Sequence, residues 1–242
     1  MFPKIEDEEE FVDRIERLCK LYNSNDVLIG KIKVTSSDEK TGIQATSHLK
    51  TTKGKPGQKK RIESEYTRNG TTCLIAGRDI CSGKIISYNL GQTRTEIDYL
   101  NHIKSIVTTS PNKNHVIIAD QLNTHKSESL VRWIASECNI KIDLGIKGKL
   151  GILKSQITRM EFLEKQEHKI RFLYTPKHCS WMNQIENWFA ILERKVIRHG
   201  QFDSVKILNT DIADFISHYN RILAKPVKWT FSGEKYRTKI KK

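Results

Sequence analysis

The chain is 242 residues long and carries 42 lysines and arginines against 28 acids, a net charge of +14; that length suits one large domain, and that charge draws polyanions such as nucleic acid at long range. Five scattered cysteines (Cys19, Cys73, Cys81, Cys138 and Cys179) with no C-x-x-C pair exclude a disulfide framework and a zinc knuckle. The opening ten residues are acidic, no apolar run approaches the roughly 20 residues of a membrane span, and a cytoplasmic protein is expected.

Residues 7–24 read as an amphipathic helix, with Phe11, Ile15, Leu18 and Leu21 at helical spacing behind an acidic start. A strand over 27–34 follows, running on to Asp38 through Thr35, Ser36 and Ser37. Between 47 and 63 the chain turns basic and aperiodic. Lys50, Lys53, Lys55, Lys59, Lys60 and Arg61 surround Gly54, Pro56 and Gly57, a loop able to track a phosphate backbone or simply to be solvated. Strands over 71–79 and 84–88 join through Cys81-Ser82-Gly83 as a hairpin, in which Asp79 serves the turn. A helix over 95–107 turns Ile97, Leu100, Ile103, Ile106 and Val107 inward. The apolar run His115-Val116-Ile117-Ile118-Ala119 is a strand buried on both faces and closed by Asp120. A helix over 127–138, a Gly- and Lys-rich segment over 141–169 and a strand over 170–174 come next. Two helices finish the fold. One over 183–200 carries Ile185, Trp188, Phe189, Leu192 and Val196, and one over 204–223 buries Ile212, Phe215, Ile216 and Tyr219. Antiparallel strands first and alternating units second predict an α/β fold with a mixed sheet flanked by helices on both faces. Its first and fourth strands should lie side by side.

Three acids stand where such a sheet could bring them together: Asp38, Asp120, and Glu186 in the first turn of its helix. Carboxylates are the right ligands for hard divalent cations, and paired cations suit phosphodiester chemistry. Read alone, each has a plainer role. Asp38 could be a turn acid before Gly42, Asp120 a cap for the following helix, and Glu186 a charge favouring a helix N-terminus.

The surrounding residues carry a resemblance. Asp38-Glu39-Lys40-Thr41-Gly42-Ile43-Gln44-Ala45, Asp120-Gln121-Leu122-Asn123-Thr124-His125 and the block from Tyr174 through Pro176, Ser180 and Asn183 to Glu186 resemble the three acidic motifs of bacterial insertion-sequence transposases. The family is the mariner-like DDE superfamily, and more narrowly the insertion-sequence six-thirty family. Gly91-Gln92-Thr93-Arg94-Thr95, Asp143 to Lys149 and Ala224 to Thr230 fit as well, so the likeness covers nearly the whole chain. It implies a ribonuclease H-like fold, two Mg²⁺ or Mn²⁺ ions, and hydrolysis followed by strand transfer at transposon ends. Asp38, Asp120 and Glu186 would then be both the catalytic and the metal-binding residues. Asp38 would bridge the two ions, which lie roughly 3.5–4 Å apart in such sites. Glu39, Asn123, His125 and Asn183 would support them, with His125 as readily a structural cap for its helix. The partner would be double-stranded DNA, contacted by Lys50, Lys53, Lys55, Lys59, Lys60 and Arg61. A homodimer and a separate helix-turn-helix subunit or upstream frame are the further partners to expect.

The domain reading is a helical lead-in over 1–26, a catalytic domain over 27–231 with an insertion near 141–169, and a basic tail over 232–242. Sixty-six positions separate Asp120 from Glu186, more than in compact mariner-like enzymes. Only 37 residues precede Asp38, too few for the recognition modules of relatives plus a first strand. A catalytic domain on its own is therefore expected, from a split frame or a truncated copy. The alternative is a DNA-binding remnant that no longer turns over.

Overall fold

The computed structural model describes residues 7–48, 56, 65–226 and 228–233. The elements in chain order are α1 (Glu8–Tyr22), a single helical turn α2 (Asn25–Leu28), β1 (Ile32–His48), β2 (Tyr66–Asp79), β3 (Ile85–Gly91), α3 (Glu96–Thr108) and β4 (Asn114–Ala119). They continue with α4 (Glu128–Glu137), α5 (Gln156–Leu163), β5 (Ile170–Tyr174), α6 (Gln184–Leu192) and α7 (Val205–His218). The five strands form one sheet in the order β3-β2-β1-β4-β5. Here β1–β2 and β2–β3 are antiparallel, while β1–β4 and β4–β5 are parallel. The first and fourth strands are neighbours, as the order of elements predicts.

Period-two alternation divides the sheet residues between two apolar layers. On one face Ile75, Ile117, Ala119, Ile170, Phe172 and Tyr174 pack under α3, α4 and α5. On the other, Val34, Val116, Ile118 and Leu173 meet α1, while Leu74, Ala76 and Ile85 meet α6 and α7. The Gly- and Lys-rich segment is no excursion from this core, because Leu153, Phe162 and Leu163 enter it fully.

Three expectations are corrected. Ile97, read as turned inward, is half exposed on α3. Residues 25–28 form a helical turn, and the strand begins at Ile32. Asp38 does not close a strand: β1 runs another ten residues beyond it to His48, paired with β2 across a register shift between Lys40 and Ile43. Gly42 sits at that irregularity with φ +65°, a conformation glycine adopts without steric cost. Past this point β1 and β2 form a two-stranded ribbon, since β4 pairs only with Ile32 to Ser36 of β1 and β3 only with Cys73 to Arg78 of β2. The Asp79 turn forms as read. Asp79 accepts from the Ser82 amide at 2.9 Å and hydroxyl at 2.5 Å, and Gly83 takes φ +72°. The helix over 183–200 is α6 followed by a π-helical turn at Glu193–Ile197.

Candidate metal and catalytic site

The pleat points Asp38 toward the α6 face of the sheet and Glu39 toward the α3–α4 face. Asp38 is 6% exposed. Its Oδ1 accepts from the Glu39 amide at 2.8 Å, and its Oδ2 from the Asn183 amide group at 3.0 Å. Asn183 has the N-cap position of α6 but does not cap it. Its side chain instead donates to Ser37 O at 3.1 Å, donates to Asp38, and accepts from the Ser36 hydroxyl. Ser36 supplies the missing cap by accepting from the Ile185 amide at 2.8 Å. An orphan donor of the helix is thus satisfied from the neighbouring strand. The result ties the start of α6, and Glu186 with it, to the stretch of β1 that carries Asp38.

Asp120 follows the last residue of β4. Its Oδ1 accepts from the Leu122 amide at 2.9 Å and pairs with His125 Nδ1 at 2.7 Å. The other nitrogen of the same ring, Nε2, meets Glu39 Oε2 at 2.9 Å. The imidazole is held from further sides as well: the Tyr99 ring lies 4.1 Å away, centroid to centroid, and Tyr174 donates its hydroxyl to the His125 carbonyl at 2.7 Å.

Asp38, Asp120 and His125 each present one ligand atom within 4.8 Å of the others. Glu186 is not in that group. It lies half-buried in the first turn of α6, close enough for its carboxyl to feel Asp120 and Lys40. The charges explain the arrangement. Burial, reinforced by the negative charge of Asp120, pushes the Asp38 carboxyl up to about 8. Burial alone would lower His125, but the Asp120 and Glu39 carboxylates push it up to about 10. Burial opposes ionisation of Asp120 and Glu39 too, yet the His125 contacts hold both below the usual carboxylate range. Burial raises Glu186, with Lys40 opposing and Asp120 adding to the shift. Asp120 is therefore neutralised by His125, whereas at Asp38 burial and the Asp120 charge outweigh the pull of His125 and a proton is kept. A hard oxygen pair with one member uncompensated fits a divalent cation such as Mg²⁺ or Mn²⁺.

Of the other residues singled out in the sequence, Asn123 is exposed and makes none of these contacts. Lys50, Lys53, Lys55, Lys59, Lys60 and Arg61 lie outside the described residues. Sequence reasoning missed Ser36 and Tyr99. A hydroxyl inside a strand gives no sign that it caps a distant helix, and Tyr99 falls outside the apolar stripe read for its helix.

Residues 33–209 match the family described as DDE superfamily endonuclease. Among solved structures, the chain is similar to the Mos1 mariner paired-end complex with Mn, at 15% identity and a TM-score of 0.52, over 98% of this chain and 61% of that one. It is also similar to a pre-cleavage Mos1 transpososome, at 13% identity and a TM-score of 0.54, over 98% and 64% respectively. The Mos1 transposase paired-end complex with left transposon end gives 14% identity and a TM-score of 0.52, over 98% and 63%. The chain thus spans just over three-fifths of the length of these proteins, and at such identities the likeness speaks for the fold. That shared fold is ribonuclease H-like. No curated protein is similar enough to add a relative. No helix among the described residues is long and apolar enough to cross a membrane.

Proposed function

Because the chain belongs to the DDE superfamily endonucleases, we propose that it is the catalytic domain of a transposase. It would be of the mariner-like kind and, more narrowly, of the bacterial insertion-sequence six-thirty family. It would cut double-stranded DNA at transposon ends and join the freed end to a target. The observation that carries this reading is the meeting of Asp38 and Asp120 from adjacent parallel strands, with a ligand atom of each within 4.8 Å of the other. The Mos1 proteins of similar fold are described in complexes with transposon ends and with Mn, which supports the same assignment here.

In this reading Asp38, Asp120 and Glu186 hold two divalent ions, Mg²⁺ or Mn²⁺. Such ions activate the attacking oxygen and stabilise the departing one in phosphodiester displacement. The protein's own part is to place oxygens and exclude alternatives. Asn183 fixes the rotation of the Asp38 carboxylate through its 3.0 Å bond to Oδ2. Ser36 fixes the start of α6 and with it the position of Glu186. Lys40 pairs with Glu193 at 3.0 Å on the same side of the ribbon and is the cation nearest to Glu186 in effect. The basic stretch from Lys50 to Arg61 tracks the DNA backbone, which positions a duplex without reading its sequence. A homodimer and a separate helix-turn-helix subunit are the further partners of this reading.

Plasmid nicking tests it. Supercoiled DNA should be nicked with Mg²⁺ or Mn²⁺ and left intact in chelator, and Asp120→Ala should abolish nicking while DNA binding persists. Undiminished nicking in chelator, or in the variant, would reject the assignment.

A further inference from the structure

Asp120 belongs to a three-part hydrogen-bonded chain, Glu39–His125–Asp120, whose members come from β1, from the turn after β4 and from the β4 end itself. The Glu39 carboxylate is 1% exposed, the His125 ring 0%, and the Asp120 carboxylate 41%. One end is therefore sealed in the core and the other opens to the site. Both contacts on Asp120, from the Leu122 amide and from His125, fall on Oδ1. Oδ2 takes no hydrogen bond among the described residues. Each nitrogen of the His125 ring already faces a carboxylate oxygen, Nδ1 that of Asp120 at 2.7 Å and Nε2 that of Glu39 at 2.9 Å, so neither is turned toward a metal.

Resting on the metal reading above, we propose that Glu39 and His125 act as a clamp on Asp120. Both are positioning residues that fix Oδ1 and leave Oδ2 for the cation, and His125 is not itself a ligand despite its distance. Its ring cannot swing toward the site without breaking a contact at each nitrogen. Tyr99, 4.1 Å away across the ring faces, blocks the remaining tilt. Glu39 is the residue least expected in such a role. It is a carboxylate placed in the core on the far face of the sheet, and its hydrogen bond toward Asp120 runs through the imidazole. Partners that orient a ligand in this way typically change metal affinity by ten- to a hundredfold when removed.

Mn²⁺ is the probe. In the unmodified protein, electron spin-echo modulation of bound Mn²⁺ should lack the nitrogen coupling of a directly bonded imidazole. A clear coupling of that kind would make His125 a ligand and overturn the clamp, without reliance on any variant. Glu39→Gln should weaken Mn²⁺ binding about tenfold, with the melting of the chelated protein followed alongside. In an Asp120→Asn background the same change should add less than about twofold, because the clamp then has nothing to orient. An equal loss in both backgrounds would show a general loosening of the fold and refute the proposal. So would full-strength binding by Glu39→Gln when Asp120 is still required. Mn²⁺ binding indifferent to Asp120→Asn would instead sink the metal reading on which the clamp depends.

Discussion

Replacing Asn183 by alanine is the most informative perturbation of the framework that holds the site. Asn183 is fully buried. It donates to Ser37 O at 3.1 Å and to Asp38 Oδ2 at 3.0 Å, and accepts from Ser36. Truncation takes a donor from two buried acceptors, the Ser37 carbonyl and Asp38 Oδ2, at about 1–3 kcal/mol apiece, and an acceptor from the Ser36 hydroxyl. Ser36 retains the Ile185 amide, so the whole penalty does not fall due, and a loss of about 2–4 kcal/mol is expected. In a chain of this size that lowers the melting temperature by about 5–10 °C. The assay is urea unfolding in chelator, where the midpoint should fall with the slope unchanged. Asn183→Asp separates bonding from packing. It keeps the volume but puts an acceptor where the Ser37 carbonyl needs a donor, so at neutral pH it should be as damaging as alanine. A loss below about 1 kcal/mol for alanine, or a well-tolerated aspartate, would refute the idea that this amide ties α6 to β1.

Three further outcomes follow from the same geometry. Asp38, pushed up to about 8, is protonated in the fold and ionised in the unfolded chain above about pH 4, so its contribution to stability declines from there to pH 8. His125, pushed up to about 10, contributes stability below about 6.5 that is lost as pH rises through 10. The chelated protein should therefore melt progressively lower from pH 6.5 to 9, and Mg²⁺ should stabilise it more at pH 8 than at pH 6 by displacing the Asp38 proton. A flat melting profile, or the reverse order with Mg²⁺, would contradict this. Gly83→Ala forces φ +72° on a residue whose added Cβ would lie 1.9 Å from the Lys225 carbonyl oxygen. It should cost at least about 2 kcal/mol in urea unfolding, and a neutral substitution would mean that this close approach does not exist in solution. Changing Lys53, Lys55, Lys59 and Lys60 together to Gln should weaken binding to all DNA sequences alike and flatten the salt slope by about two to four units. An unchanged slope would mean that these lysines do not contact the DNA.

The order of elements was legible because most carry strong local patterns. The His115 to Ala119 run is continuous and apolar, and α3, α6 and α7 show clear stripes. The end of β1 was not legible. Glu39, Lys40 and Thr41 are all polar, so no apolar run marks the stretch as strand and Asp38 looks terminal. Val27, Leu28 and Ile29 have strand-like side chains, but Ser24 and Asp26 start a helical turn there, and Leu28 and Ile29 stay exposed. The site was legible as a set of acids and much less so as an arrangement. Glu39 and His125 are 86 positions apart, and nothing local says that a glutamate will enter the core to meet a histidine. Asn183 is marked by the resemblance as a support for the acids, but nothing local names its partners. Its side chain turns toward β1 only because Ser36 takes over the capping bond, a substitution visible in three dimensions alone.

Single-turnover cleavage of an end-labelled duplex in Mn²⁺, at matched DNA occupancy, tests the central claim most directly. Wild type is compared with Asp38→Asn, Asp120→Asn and Glu186→Gln. Each variant should retain the fold and bind DNA, and each should lose cleavage by at least about a thousandfold, roughly 4 kcal/mol of barrier. Cleavage by Asp38→Asn or Asp120→Asn within tenfold of wild type would contradict a catalytic centre built on those two carboxylates.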